Sequence, residues 1–382
     1  MRIAITHAQD GPDADGYAAD LLRVVLDAGH DVHLFTPASP WSRGLDPRAR
    51  VRRVPDPWKG IDFMRAWSYD RWVTRHARRA EWDVVHGLSW SSAQDVLSVG
   101  AEAPPPPAGK REGLLLRQRR AIEARRHAAG AATRVLAPSS AAAEGLRRRF
   151  GLGDEVVVSR PGADTERFTP ALRAQWGAAY RERIAVDPGA FVVLCLTNAY
   201  RESDVPGLIE VCRRLKERGL PGGRAVRFGV VGREKKQVEA EMSARCKAEG
   251  IYDHLKFYGP QHLLERWISL ADVVLLPARA EAPFSRAAWE AMAGGVPVIA
   301  SRAVGAAEVL EHGRDGFVLD DPFDPAQAVD LLLRLAGDEE ARARVGAAAR
   351  ETAERWSFAR HAREVLAVYE QVAAGKATAV AR

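Results

Sequence analysis

Short apolar runs recur along the whole chain, each flanked by Gly, Pro or Asp and separated from the next by stretches of helical pattern. One set is Arg2–Thr6, Asp31–Phe35, Val84–His86, Arg134–Ala137 and Glu155–Ser159. A second is Phe191–Leu196, Arg227–Val231, Leu255–Tyr258, Val273–Leu276 and Val296–Ala300. Strands that are apolar throughout, rather than at every other position, are buried on both faces. That is the pattern of a parallel sheet covered by helices on each side. Two such sets in 382 residues predict two doubly wound α/β domains. The turn-rich segment from Arg160 to Pro170 is the expected seam. It gives a first domain over 1–170 and a second over 171–357. A last helix, from Phe358 to about Val372, follows every strand and is expected to cross back onto the first domain.

Composition narrows the function classes. Apolar residues make up 47% and charged residues 28%, enough for a packed core and too apolar for a disordered chain. No run approaches the ~20 apolar residues of a membrane span, and the N-terminus reads as a first strand rather than a leader. The three cysteines, Cys195, Cys212 and Cys246, have neither zinc-site nor disulfide-framework spacing, so a reducing, cytoplasmic setting is expected.

The net charge of +6 is concentrated. Residues 110–149 hold 11 Lys/Arg against 3 Glu, a local +8, and the rest of the chain sums to −2. Such a patch suits a polyanionic surface or is a solvated helix face. It follows four prolines, Pro104–Pro107, which force an extended loop. Within 110–127 three leucines, Leu114–Leu116, sit among Arg111, Arg117, Arg119 and Arg120. This segment is expected to dock on an anionic membrane face, holding a cytoplasmic protein peripherally at the inner surface. Nucleic acid is the weaker partner, because no aromatics interleave with the basic residues of 110–149.

The chemistry concentrates in residues 271–301, ADVVLLPARAEAPFSRAAWEAMAGGVPVIAS. Val273–Leu276 reads as a buried strand, Ala278–Phe284 as a loop at its carboxyl end, Ser285 as an N-cap, and Arg286–Ala293 as a helix ended by Gly294-Gly295. A helix N-terminus at the carboxyl edge of a parallel sheet presents free N–H groups and the positive end of its dipole. That suits a phosphate or diphosphate. Glu290, one turn in, can accept two hydrogen bonds from a ribose diol, or can be a surface glutamate placed for helix propensity.

EAPFSRAAWEAMAGGVPVIAS resembles the donor-site signature of the retaining glycosyltransferases of the family 4 type. RVLAPSSAAAEGL, VVSRPGADTERFTP, VVGREKK, LKFYGP and GRDGFVLDDPFDPAQ agree in order and spacing over nearly the whole chain. Within the family the look is that of the lipopolysaccharide core glucosyltransferases. The resemblance implies a GT-B fold, two Rossmann-like doubly wound domains facing a cleft. It also implies a nucleotide-sugar donor, a UDP-sugar on family frequency, and retention of configuration. No essential metal or other cofactor is implied, and the acceptor would be a glycan or a lipid-linked or lipopolysaccharide molecule.

Family roles carry over position by position. Glu290 matches the glutamate that holds the donor ribose, and Pro283-Phe284-Ser285 the loop that offers amides to the diphosphate. The signature's first glutamate falls at Ala282, with Glu281 adjacent but out of register. The loop after the first strand of the second domain normally carries an Arg and a Lys for the leaving diphosphate. Here Arg201 is present and the Lys position is Ser203. Arg233, Lys235 and Lys236 follow the next strand and are candidates to compensate, or form an exposed basic loop, and Tyr258 lies in the stretch resembling the base-binding strand end.

On the acceptor side, His86 ends a strand and is a candidate contact to sugar or acceptor, or a structural histidine as lone strand-end histidines more often are, and the family's further histidine is Leu88 here. Asp95 is a candidate to act on an acceptor hydroxyl, and Gly16 a candidate for close backbone approach in the first strand–helix loop. Ala282 and Ser203 also motivate an alternative, an inactive or weakened relative that binds a glycan or a partner.

Overall fold

The computed structural model describes residues 1–8, 12–38, 45–58, 62–77, 81–88, 91–92, 94–99, 124, 128, 132–201, 203–279, 285–320 and 323–380. The chain divides into two units, Met1–Pro161 with Arg360–Arg382, and Gly162–Ala359. The division falls before the boundary expected after residue 170. The basic segment 110–127, apart from Ala124, lies outside the described residues, as do Glu281, Ala282, Pro283 and Phe284.

In the first unit the order is β1 (Arg2–Thr6), α1 (Pro12–Asp27), β2 (Asp31–Thr36), β3 (Arg50–Arg53), α2 (Asp62–His76), β4 (Val84–Gly87), β5 (Val96–Ser98), β6 (Arg134–Ala137), α3 (Ser140–Phe150) and β7 (Val156–Val158). All seven strands are parallel, in the order β3-β2-β1-β4-β5-β6-β7. Parallel strands cannot be joined by hairpins, so helices make the crossovers and cover the sheet. Local signals set the helix ends. Ser139 caps α3 by accepting from the Ala142 N–H at 3.0 Å, and Gly151 closes it in the left-handed region at φ 65°.

The second unit runs α4 (Ala178–Arg183), preceded by a π-helical turn at Arg173–Gly177, then β8 (Phe191–Leu196), α5 (Val205–Arg218), β9 (Val226–Val231), α6 (Lys236–Ala248), β10 (Leu255–Phe257), α7 (Leu264–Leu270), β11 (Val273–Leu276), α8 (Arg286–Ala293), β12 (Val298–Ser301), β13 (Phe317–Leu319), α9 (Pro325–Gly337) and α10 (Glu339–Arg355). Its six parallel strands are ordered β10-β9-β8-β11-β12-β13. Alternate residues of β8 and β11 enter different cores: Val192, Leu194 and Val274 one, Val193, Cys195, Val273 and Leu275 the other. Both faces are therefore buried, which is why these strands read as unbroken apolar runs.

Asp272, just before β11, ties the amino edge of this sheet together. It accepts from Arg173 at 2.6 Å, from Arg181 at 2.8 Å and from the Val192 N–H at 2.8 Å. Burial pushes its carboxyl up, but Arg181, the Val192 amide and Arg173 outweigh that and hold its pKa below the ordinary value. The three cysteines are buried and unbridged, and burial raises the Cys195 thiol to about 12 and Cys246 to about 11.

The final helix, α11 (Phe358–Val380), is longer than the sequence suggested, and from Arg360 onward it belongs to the first unit. No helix among the described residues is long and apolar enough to cross a membrane.

Candidate functional site

In an open parallel sheet the ligand crevice lies outside the carboxyl ends of the strands, where the order reverses. In the second unit that point lies between β8 and β11, and the loops there interlock. Gly232, after β9, has φ 144°, and a Cβ there would collide with the Thr197 carbonyl at the end of β8. This approach lets the Arg233 N–H reach Asn198 Oδ1 at 2.8 Å and the Tyr200 N–H reach Glu234 Oε2 at 2.8 Å. The Gly232 N–H donates to the Gly259 carbonyl at 3.0 Å, which brings in the loop after β10.

The structure thus joins the Arg201, Arg233–Lys235 and Tyr258 segments at one edge. Arg201 is exposed, and its guanidinium meets Glu241 of α6 at 2.6 Å. Arg233 and Lys235 are exposed as well. Ser203, at the family's Lys position, bonds Thr197 Oγ1 at 2.5 Å and closes the loop on itself. Tyr258 is half-buried with its ring 4.7 Å from Trp267, and burial raises its phenol pKa.

Two further features were not apparent from the sequence. Arg279, beyond the end of β11, is largely exposed and pairs at 2.7 Å with the buried carboxylate of Asp204. Asp204 itself caps α5 from a left-handed backbone, φ 46°, by accepting from the Gly207 N–H at 3.1 Å. Arg286 is the other. Its Nε lies 3.2 Å from Glu290 Oε1, and both side chains are buried. Glu290 is therefore a buried, paired carboxylate, not a surface glutamate.

Ser285 does occupy the N-cap position of α8, but its side chain makes no capping hydrogen bond, which leaves the amides of the first turn uncapped by it. The helix is fixed from its other end. Arg350 of α10 donates to the Ala293 carbonyl at 2.8 Å, and at Gly346 a Cβ would collide with the Gly295 carbonyl. Among the described residues no cluster of His, Cys, Asp and Glu is placed to hold a metal ion.

The first-unit candidates sit differently. Asp95 is at the amino end of β5, opposite the ligand edge, and is fully buried. Its carboxylate accepts from the Val85 N–H at 2.8 Å and from Lys376 Nζ at 2.5 Å. The acceptor role expected for it gives way to a structural one, joining β4, β5 and α11. His86 is also fully buried. Its Nδ1 meets the Tyr369 hydroxyl at 2.5 Å and its Nε2 the Ser98 hydroxyl at 2.9 Å, so neither nitrogen is left for a substrate contact. Desolvation, aided by His361, lowers its pKa to about 3. Gly16 lies within α1, not in the loop before it, so the expected close approach is not made from a loop position.

Two family sequence descriptions match the chain, "Glycosyl transferases group 1" over residues 178–352 and "Glycosyltransferase Family 4" over residues 15–167. The chain belongs to the GT-B glycosyltransferases of this type. Among curated proteins, this glycosyltransferase is 28% identical to the D-inositol 3-phosphate glycosyltransferase of Xylanimonas cellulosilytica, over 94% of this chain and 92% of that protein. Among solved structures it resembles WaaG, a glycosyltransferase involved in lipopolysaccharide biosynthesis, with a TM-score of 0.80 at 17% identity over 96% of this chain and 99% of that one. Anabaena HepE in complex with UDP-glucose is also similar, with a TM-score of 0.78 at 18% identity over 97% and 100%. At such identities the two structures speak for the fold alone.

Proposed function

We propose that this glycosyltransferase moves a hexose from a UDP-sugar, with retention, to a hydroxyl of a glycan or of a lipid-linked or lipopolysaccharide acceptor, without a metal. The observation that carries the reading is the second unit's carboxyl edge. There the N-terminus of α8, the buried Glu290 and the exposed Arg201, Arg233 and Lys235 belong to one end of one sheet. The α8 amides and these cations take the diphosphate, Glu290 takes the ribose, and the Tyr258 segment takes the base.

As the glycosidic bond breaks, charge builds on the diphosphate, and donors fixed in advance stabilise that charge most. Arg201 is available for this. Its pair with Glu241 is more than half exposed on both sides, and exposed pairs are worth only about 0–1 kcal/mol. The acceptor hydroxyl attacks from the face the diphosphate leaves, and its proton passes to a diphosphate oxygen. That route needs no protein nucleophile.

The name of the Xylanimonas relative favours a second acceptor class, a small polyol phosphate. Segment 110–127 would hold the enzyme at an anionic membrane face for the lipid-linked class only.

A thermal-shift panel of UDP-, GDP- and ADP-sugars tests the donor. A ligand at 100 times its Kd adds about 2.7 kcal/mol, and UDP-sugars are expected to give the largest shift. Turnover with lipid-linked glycans and with inositol phosphates then separates the acceptors, and the product's anomeric NMR signal reads the stereochemistry. Binding without turnover or donor hydrolysis would instead leave an inactive relative, in line with Ala282 and Ser203. An inverted product, or no nucleotide bound, would overturn the proposal.

A further inference from the structure

A cavity of about 270 Å3 opens between the start of β13 and the facing ends of α9 and α10. Phe317 is the first residue of β13, so this cavity lies at the amino edge of the second sheet, the opposite edge from Arg201, Glu290 and Tyr258. Its floor is apolar, with Phe317, Leu335, Ala341 and Val345 all buried. Its walls carry three guanidiniums, Arg314, Arg334 and Arg344.

Arg314 and Arg344 pair with Glu311 and Glu340, each at 2.8 Å, and all four side chains are exposed. Such pairs are weak and yield readily to a better anion. Arg334 is exposed, with no partner among the described residues. The carbonyl end of α9 would ordinarily repel an anion here. It is neutralised instead, because the buried Arg342 donates to the Leu335 and Ala336 carbonyls and Arg224 donates to Ala336 at 3.1 Å.

We infer that this cavity is a second binding site of the donor unit, for a small organic anion with one phosphate or carboxylate group on a ring-sized body. The anionic group meets Arg334, with Arg314 and Arg344 to either side, and the body lies on Phe317, Leu335 and Val345. A nucleoside diphosphate at the carboxyl edge does not compete for it.

Methyl NMR of the full chain tests this, with phenyl phosphate and benzoate as probes and phenol and inorganic phosphate as controls. Either organic anion is expected to move the Leu335, Val345 and Ala348 signals, with the tighter one identifying the head group. Phenol and inorganic phosphate are expected to bind at least fivefold more weakly. Arg334→Gln should weaken the anion at least fivefold, and saturating UDP should leave its affinity unchanged. Failure of UDP to bind would strike the donor assignment and not this one. Phenol binding as tightly as the anions, competition by UDP, an unaltered Arg334→Gln affinity, or no movement of these methyls would overturn the second site.

Discussion

The two sheets share a topology, with the strand order reversing beside the first strand of each, but their polar side chains do different work. In the first unit one set of them forms a continuous chain, buried up to the half-buried Glu364. The Tyr369 hydroxyl meets His86, His86 meets Ser98, and Ser98 meets the Tyr17 hydroxyl at 3.1 Å. The Tyr17 hydroxyl meets His361 Nε2 at 2.9 Å, His361 Nδ1 meets Ser159 at 2.9 Å, and Ser159 donates to Glu364 at 3.0 Å. Tyr369, His361 and Glu364 all ride on α11, so the network fastens the last helix to the sheet.

In the second unit two loop cations at the carboxyl edge are open, although Glu290 and Arg286 are buried there as a pair. Arg201 and Arg279 are largely exposed and held by single carboxylates. A fully satisfied buried network specifies one structure, whereas a cation in an exposed pair, as Arg201 is with Glu241, remains available to a ligand. Histidine and aspartate serve in catalysis more readily than most side chains, yet here both are spent on fastening.

The largest test of that contrast is acid. Every buried histidine among the described residues lies in the first unit, namely His7, His33, His86 and His361. Desolvation lowers His86 and His361 to about 3 from 6.5. Between those values the unfolded chain binds protons that the fold does not, so stability falls as the pH drops from about 6.5 towards 3. Two histidines together lose up to about 4 kcal/mol between pH 7 and pH 5, at ~1.36 kcal/mol per unit each. Hydrogen exchange across that range should show the first unit's amides losing protection ahead of the second's. Equal loss in both would break the comparison.

Tyr369→Phe probes the same network at one bond. It strands the buried His86 Nδ1 without its partner, which costs about 1–3 kcal/mol. Denaturant unfolding should report that loss with UDP affinity unaltered. A drop in UDP affinity instead would tie the network to the nucleotide.

Glu290→Gln sharpens the other side. The amide keeps the size of the carboxylate and still faces Arg286, so the fold should hold while ribose recognition weakens. Calorimetry should show UDP affinity falling at least tenfold, about 1.4 kcal/mol. An unchanged Kd would leave Glu290 as a partner of Arg286 alone.

Much of this was legible in the sequence wherever burial imposed a pattern. The ten apolar strands were read to within a few residues, and α8 was placed at Arg286–Ala293 as expected. The strands missed were β3, β5 and β13. Arg50–Arg53 is a charged edge strand with no apolar run, while Val96–Ser98 and Phe317–Leu319 are apolar runs of two and three residues, too short to mark a strand on their own. At the site, Glu290 and Arg201 stood out by motif. Arg279 did not, because its pairing with Asp204 of a neighbouring loop leaves no local spacing to read. His86 and Asp95 misled for the converse reason. A strand-end histidine looks alike in sequence whether it faces solvent or, as here, the Tyr369 hydroxyl from a helix 283 positions away.

Arg201→Ala is the smallest expected effect and the most discriminating. Arg201 is the one cation in the 197–204 sequence, with Ser203 at the second family position closing on Thr197. Removing it frees Glu241 but should leave the fold intact, because both partners are more than half exposed. If Arg201 meets the diphosphate, UDP affinity falls about fivefold, roughly 1 kcal/mol, while uridine affinity stays level. Arg233 and Lys235, tied to the same loop through Asn198 and Glu234, blunt the loss, and Arg201→Ala combined with Arg233→Ala should exceed the sum of the separate changes. Uridine and UDP weakening in parallel would mean that Arg201 shapes the loop and leaves the phosphates to other groups.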